Sequence, residues 1–449
     1  MPENQIAAIL VAIFGGATHG FAQTITSGII EEEPYKSMSS ALQGFISASI
    51  NIGATFGCML GGFLSDKLGP KKMIAASAIL IIICAIILAV QSHVASLLTF
   101  RAISGLGIGV ISVVAPVYIS EQSPAKRRGR IVSLYQVSLI FSTIIAYGIN
   151  YFCNNVNFGW RYEFGSTGFF PLALVIIIFI LPESGRWKEK QAAYKAEAPH
   201  LKKGIHISHV CRALFSSKRA VIVGLVLASF TQLTGINCVM MFSPSMLGHS
   251  GLESTQQKLG ATILVGLWNF LSTLISVLLV DFLGRVPLLI AGFGSMAVGL
   301  FVIVLSYVIN GFIPSFAPYT IATCGIALFV LGFEIGPGPV FYVLTSELYP
   351  QQYRGTAMSV ISVFNWLANV AIVFSYLPLV EAIGSRWVFT VLCVFCLGMV
   401  AFVVAAVPET KQKSLEDIES EVASNEERAP LIKQNRQAYG GKEDEILDV

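Results

Sequence analysis

Six amides stand in stretches that are otherwise apolar: Gln136, Gln232, Asn237, Asn269, Asn365 and Asn369. A side-chain amide donates and accepts at once. A group of them therefore suits a neutral ligand covered in hydroxyls, and no charge is needed. Trp366 lies between Asn365 and Asn369, and an aromatic face suits the C–H side of a saturated ring. Asn365 and Asn369 are four apart and share one helix face. Gln232 and Asn237 are five apart, which a regular helix splays by about 140°. Thr234-Gly235 lies between them, and glycine permits a local unwinding that turns both amides inward. From the residues alone two readings stay open. The amides bind a ligand, or they bond helix to helix at about 0.6–2 kcal/mol each.

A second constellation is charged. Glu347 and Arg354 are seven apart, with Pro350 after the acid and Gly355 after the arginine. Glu121, Pro124, Arg128 and Gly129 repeat that spacing in the first half of the chain. Another recurring pair joins Asp66 to Lys71 and Asp281 to Arg285, around Gly69 and Gly284. Recurrence at about half the chain length implies two similar halves arranged as parallel repeats. The hypothesis is an inner charge network that ties the halves together when the outside is open. Isolated surface pairs would contribute only about 0–1 kcal/mol each. Arg354→Ala tests the network: unchanged transport and unchanged conformational bias would refute it.

The elements that must hold these residues follow from composition. The 449 residues are 54% hydrophobic and 12% charged, against about 25% charged in soluble domains. That deficit indicates a polytopic membrane protein. Twelve apolar runs meet the length of about 20 residues that a spanning helix needs. They fall into an all-α membrane fold with four parts. Residues 1–182 form a six-helix bundle, 183–218 a cytoplasmic linker with short amphipathic helices, 219–407 a second six-helix bundle, and 408–449 a cytoplasmic tail. With both termini inside, the inner connections before the tail carry 18 Lys and Arg and the outer ones 4, which fixes the orientation by the positive-inside rule.

Several function classes are excluded at this stage. A net charge of +3 is too small to suggest nucleic-acid binding. No signal peptide is expected, because no basic residue precedes the first apolar run. The eight cysteines show no secreted-framework spacing, and Cys393 and Cys396 read as packing residues on an apolar helix. No catalytic dyad, metal cluster or phosphate loop is evident, so neither an enzyme, a metal nor a cofactor is expected. The glycines at 105–109 lie inside an apolar helix, where they serve close packing.

Seven motifs carry a family resemblance: DKLGPK at 66–71, PVYISEQSPAKRRG at 116–129, PES at 182–184, QLTGIN at 232–237, DFLGR at 281–285, GPGP through SELYPQQYRG at 336–355, and PETK at 408–411. In this order, each at a helix end, they resemble the sugar porter branch of the major facilitator superfamily, which includes the facilitative glucose transporters. The resemblance implies two six-helix halves with a substrate site between them. It also implies that Gln136, Gln232, Asn237, Asn269 and Asn365 bind the sugar, with Asn369 supporting and Trp366 lining the cavity. Tyr342 stands where the family places a sugar-facing aromatic, in place of the usual tryptophan. Thr231, Met241 and Phe242 also depart from the family pattern at the rim.

The resemblance also bears on coupling. Relatives that move sugar with a proton carry an Asp in helix one, and Ala22 occupies that position here. The expectation is therefore facilitated diffusion of a glucose-like hexose, with a proton-coupled sugar or polyol symporter as the alternative and a non-transporting sugar sensor as a weaker one. His19 is the titratable group that helix one does carry before Glu31; the simpler reading is a neutral histidine bonded to a neighbouring helix. Arg101 and Glu334 are the other ionisable groups inside spans, read as structural or gating residues.

The tail is low in apolar residues and is expected to be disordered. It contains Glu427, Leu431 and Ile432 in the order of an acidic dileucine signal. The expectation is a sorting adaptor as partner and residence in the plasma membrane or an endosomal or lysosomal membrane. Replacing Leu431 and Ile432 by Ala would then move the protein to the cell surface; an unchanged distribution refutes it.

Overall fold

The computed structural model describes residues 3–411 apart from position 92, position 186 and segments 125–126, 189–217, 250–253, 310–315 and 350–353. Most of the 183–218 linker and nearly all of the 408–449 tail, including Glu427, Leu431 and Ile432, lie outside the described residues.

Among the described residues, twelve helical spans are long and apolar enough to cross a membrane. The first half contains α1 (Glu3–Thr24), α2 (Thr26–Ile29), α3 (Ser40–Leu68), α4 (Pro70–Val90), α5 (Val94–Gln122), α6 (Arg128–Cys153), α7 (Gly159–Ser166) and α8 (Phe169–Ile180). The second contains α9 (Lys218–Leu233), α10 (Ile236–Met241), α11 (Ser243–His249), α12 (Thr255–Leu283), α13 (Arg285–Ile309), α14 (Phe316–Ile335), α15 (Pro337–Leu348), α16 (Arg354–Ile383) and α17 (Ser385–Ala406). Large apolar side chains such as Ile86, Phe179 and Val404 are exposed, as a lipid-facing surface requires.

Two helices break where glycine permits it. The seventh span breaks between α9 and α10 at Gly235, which has φ 89° and ψ 16°. A Cβ there would also meet Leu392 Cδ1 at 2.7 Å, so backbone and packing both demand glycine. The tenth span breaks at Gly336, and α15 restarts on Pro337, a proline at its first position. A break not anticipated from sequence separates α7 from α8 at Thr167-Gly168.

Each half has its own buried core. Residues such as Val114, Tyr118 and Leu174 build the first, and Phe293, Phe329 and Phe389 the second. Trp366 crosses over and packs into the first-half core. The halves meet along two helix pairs. Helix α3 runs against α16, close enough that a Cβ on Gly44 would lie 2.6 Å from Phe374 O. Helix α6 runs against α12, with the Phe141 and Phe270 rings 5.6 Å apart.

The repeated D-x-L-G motif has a shared structure. In both copies the glycine has positive φ, 95° at Gly69 and 90° at Gly284. Each lets an acid from the end of its own half reach the start of the next helix. Glu183 accepts the Lys71 backbone N–H at 3.1 Å. Glu409 accepts those of Arg285 and Val286 at 3.1 and 3.0 Å. These carboxylates satisfy helix N-termini that carry unbonded N–H groups and a positive dipole end.

Candidate functional site

The face that carries Lys71 and Glu121 is called inner here and the opposite face outer, following the charge bias of the sequence. Between the halves lies a cleft of about 980 Å³, counting the part open to solvent. All six amides singled out by sequence line it, together with Trp366, His19 and Glu334. Of the residues expected to bind ligand, only Tyr342 is not placed, since its side chain lies outside the described part of α15.

Four of the six amides, Gln232, Asn237, Asn365 and Asn369, form one connected relay. Gln232 is its hub. Its Nε2 donates to Asn365 Oδ1 at 3.1 Å, and its Oε1 accepts from Asn237 at 2.5 Å and from Asn369 at 3.1 Å. The break at Gly235 is what lets Gln232 and Asn237 meet. Asn365 in turn donates to Ala228 O at 2.9 Å, which anchors α16 on α9. The relay extends into the first half through Asn51, whose Nδ2 donates to Asn369 Oδ1 at 2.8 Å. Asn51 met the same criterion as the other six, an amide in an apolar helix, and sequence reasoning passed it over.

Two acceptors face the cleft from the second half. Asn269 is 3% exposed, and its Oδ1 has no hydrogen-bond partner among the described residues. An acceptor so placed is open to a donor from the cleft. Glu334 is buried in the wall of the cleft and accepts the Thr273 hydroxyl at 2.9 Å. On the opposite wall His19 Nδ1 lies 3.2 Å from the Tyr135 hydroxyl, and its ring sits 5.6 Å from that of Trp366. That is the helix-to-helix bond expected for His19. Among the rim substitutions, Thr231 and Met241 line the cleft, whereas Phe242 is fully buried and stacks on Tyr376.

The inner charges are only partly visible. The side chains of Asp66, Arg128, Asp281, Glu347 and Arg354 lie outside the described residues. The remaining three make described bonds inside their own halves. Lys71 Nζ donates to Leu181 O at 2.5 Å, Glu121 accepts the Ser184 hydroxyl at 2.5 Å, and the Arg285 N–H goes to Glu409. The PES and PETK motifs thus hold the ends of their own bundles, a role that spacing alone did not show.

The Sugar (and other) transporter profile matches residues 5–422. This chain belongs to that family. It is a multi-pass membrane transporter of the sugar porter group, not an enzyme. It is 31% identical over 403 residues to the galactose-proton symporter of Escherichia coli K12, covering 85% of this chain and 86% of that one. The D-xylose-proton symporter of the same strain is 29% identical, with 92% and 94% covered. The glucose transporter GlcP of Staphylococcus epidermidis is 30% identical, with 94% and 98% covered. The partially occluded, inward-open xylose transporter XylE of E. coli superimposes with a TM-score of 0.77 at 27% identity, over 91% of this chain and 99% of that one.

Proposed function

We propose that the protein carries a neutral hexose or pentose through the cleft by alternating access of its two six-helix halves, 1–182 and 219–407, and that movement is coupled to a proton. The amide relay around Gln232 supports the sugar part. It supplies donors and acceptors without charge, and the Asn269 acceptor is open to a hydroxyl.

The expectation of facilitated diffusion gives way here. The galactose, xylose and arabinose relatives are named as proton symporters, and the cleft wall holds a buried carboxyl, Glu334. A buried ionisable group inside a span is the device by which transporters bind protons. Facilitated diffusion remains a second reading because Ala22 replaces the helix-one acid. Orientation with both termini inside, the inner network and plasma-membrane residence belong to the same proposal; the bacterial relatives support the last.

The test is uptake into proteoliposomes of labelled galactose, xylose, arabinose and glucose, with and without an imposed pH gradient. Accumulation above equilibrium driven by the gradient is the expected result. Entry that only equilibrates would sink the coupling and leave facilitated diffusion. No uptake of any of the four would sink the substrate class.

A further inference from the structure

The outer end of the cleft is shut by a bond between the halves that uses none of the cleft amides. Tyr147, on α6, is fully buried, and its hydroxyl donates to Met240 O, on α10, at 2.8 Å. The sequence explains why that carbonyl is open to a partner. Were the helix to continue, Met240 O would accept the N–H of residue 244. Residue 244 is a proline, which has none. The carbonyl is thus freed where α10 gives way to α11. A carbonyl oxygen has two lone pairs, and two hydroxyls take them. Ser243, from the same half, donates at 2.9 Å, and Tyr147 comes from the other half.

The surroundings brace Tyr147 in this pose. Its ring lies in a slot on α12: a Cβ on Gly266 would stand 2.8 Å from Tyr147 Cδ2 and 3.0 Å from Cε2. Asn150, three residues on and on the same side of α6, donates to Ser27 Oγ at 3.2 Å, which ties α6 to α2. Helix α2 in turn touches α10 and α11, and Ile30 behind it is buried in the second-half core. Tyr147 itself does not line the cleft, whereas Asn237, Met240 and Met241 of its partner helix do. Asn237 also bonds Gln232. One six-residue helix therefore meets the cleft amides at one end and Tyr147 at the other. The break at Gly235 lets that helix move apart from α9.

We propose that Tyr147 is a positioning residue, a latch that holds α10 over the cleft while the outer side is closed. Sugar held at Asn237 sets α10 where Met240 O meets the Tyr147 hydroxyl. Opening to the outside breaks that bond. Ser243 stays on the carbonyl, so no acceptor is stranded, and the Tyr147 hydroxyl turns to the water that enters. The latch rests on alternating access of the two halves, and it holds for coupled and facilitated transport alike.

The test reads access to position 240 from each side. Met240→Cys keeps the backbone carbonyl and puts a thiol in the cleft wall. Right-side-out and inside-out vesicles are treated with a membrane-impermeant maleimide, with and without galactose, xylose, arabinose or glucose. Vesicles lacking Met240→Cys give the background from the native cysteines. Tyr147→Phe removes the hydroxyl and keeps the ring in its slot. Added to Met240→Cys, it should speed labelling from the outside about fivefold, the low end of a coupling between sites. Labelling from the inside should not rise, and sugar should slow outside labelling less than it does in Met240→Cys alone. Pro244→Ala gives Met240 O a backbone donor from its own half and should act in the same direction. Outside labelling that is equal with and without the Tyr147 hydroxyl overturns the latch, even if the melting temperature falls, because Tyr147 would then serve packing alone. So does an equal rise from both sides, the mark of a loosened fold. If Tyr147→Phe fails to fold, Pro244→Ala decides by the same readout. Outside labelling that stays at background in every protein, with and without sugar, sinks alternating access and the latch together. If none of the four sugars changes labelling, the substrate class fails, and the outside rate with and without the hydroxyl still decides the latch.

Discussion

The Asn51 side chain donates to Asn369 Oδ1 at 2.8 Å, and this bond runs from the first half to the second. Asn369 uses its other end to bond Gln232, the hub of the cleft amides. The contact between halves and the cleft-lining relay are therefore one hydrogen-bonded chain. Asn51 does not itself line the cleft. Asn51→Ala removes a bond between halves and leaves Asn369 Oδ1 short of a donor, a change of about 1–3 kcal/mol. The expected outcome is a turnover rate altered about tenfold, with sugar affinity within about twofold. Sugar titration by tryptophan fluorescence beside exchange rates checks it. A loss confined to affinity would make Asn51 a ligand rather than a strut.

Gln232 should behave differently. It satisfies three other amides, Asn237, Asn365 and Asn369. Gln232→Ala strands all three inside an apolar interior, where each unsatisfied group costs about 1–3 kcal/mol. Even one such loss realised in binding weakens affinity about tenfold or more. We expect KM for sugar to rise by at least that factor. An unchanged KM would move Gln232 from ligand to helix glue.

The spans were legible because a bilayer leaves little choice: a spanning helix needs about 20 apolar residues, and charge marks its ends. The break at Gly235 was legible from its glycine. The break between α7 and α8 was not, since nothing local in Gly165-Ser166-Thr167-Gly168 separates it from a tolerated helix. The relay members were legible one by one, as amides among apolar residues, but their connection was not. Asn51 and Asn369 are joined by packing of α3 on α16, which no local pattern encodes. The same holds for Glu183 and Glu409: their motifs stood out, while their partners lie more than a hundred residues away.

Gly235 is the point where local backbone and site geometry meet. With φ at 89° and Leu392 Cδ1 2.7 Å from the place of a Cβ, Gly235→Ala should lower stability by about 1–2 kcal/mol from the left-handed backbone alone. Displacement of Asn237 from Gln232 should weaken sugar binding as well. Thermal melting in detergent, with and without sugar, checks both. A variant with the parent's melting point and the parent's sugar-induced shift would show that the break tolerates a side chain.

Glu409 gives a pH dependence at the inner end. Burial alone would raise its carboxyl, but the backbone N–H groups of Lys411, Arg285, Val286 and Thr410 outweigh that and hold it below the ordinary value. An acid lowered in the folded state adds stability above its unfolded pKa and loses it as pH falls through the folded one. The segment after α17 should therefore loosen from α13 in acid and stay docked at neutral pH. Glu409→Gln should loosen it at neutral pH too, at about 1 kcal/mol, a low figure for charge-assisted bonds because the group is partly exposed. Amide hydrogen exchange over residues 285–290 reads it out. Protection that is equal in the variant and the parent would refute the cap.

Glu334 decides between the two modes of transport. It is buried in the cleft wall, its Thr273 bond is the described polar contact of its side chain, and it lies in the same cavity as the open Asn269 acceptor. A carboxyl so placed can meet a proton and a sugar in one state of the cycle, which coupling requires. Glutamine keeps the shape and the bond to Thr273 but cannot release a proton. Glu334→Gln should therefore abolish gradient-driven accumulation, while exchange at equal sugar on both sides stays within about tenfold of the parent. Accumulation that survives in the variant removes Glu334 as the carrier. A parent protein that exchanges sugar but never accumulates it returns the chain to facilitated diffusion, the mode that Ala22 in helix one favours.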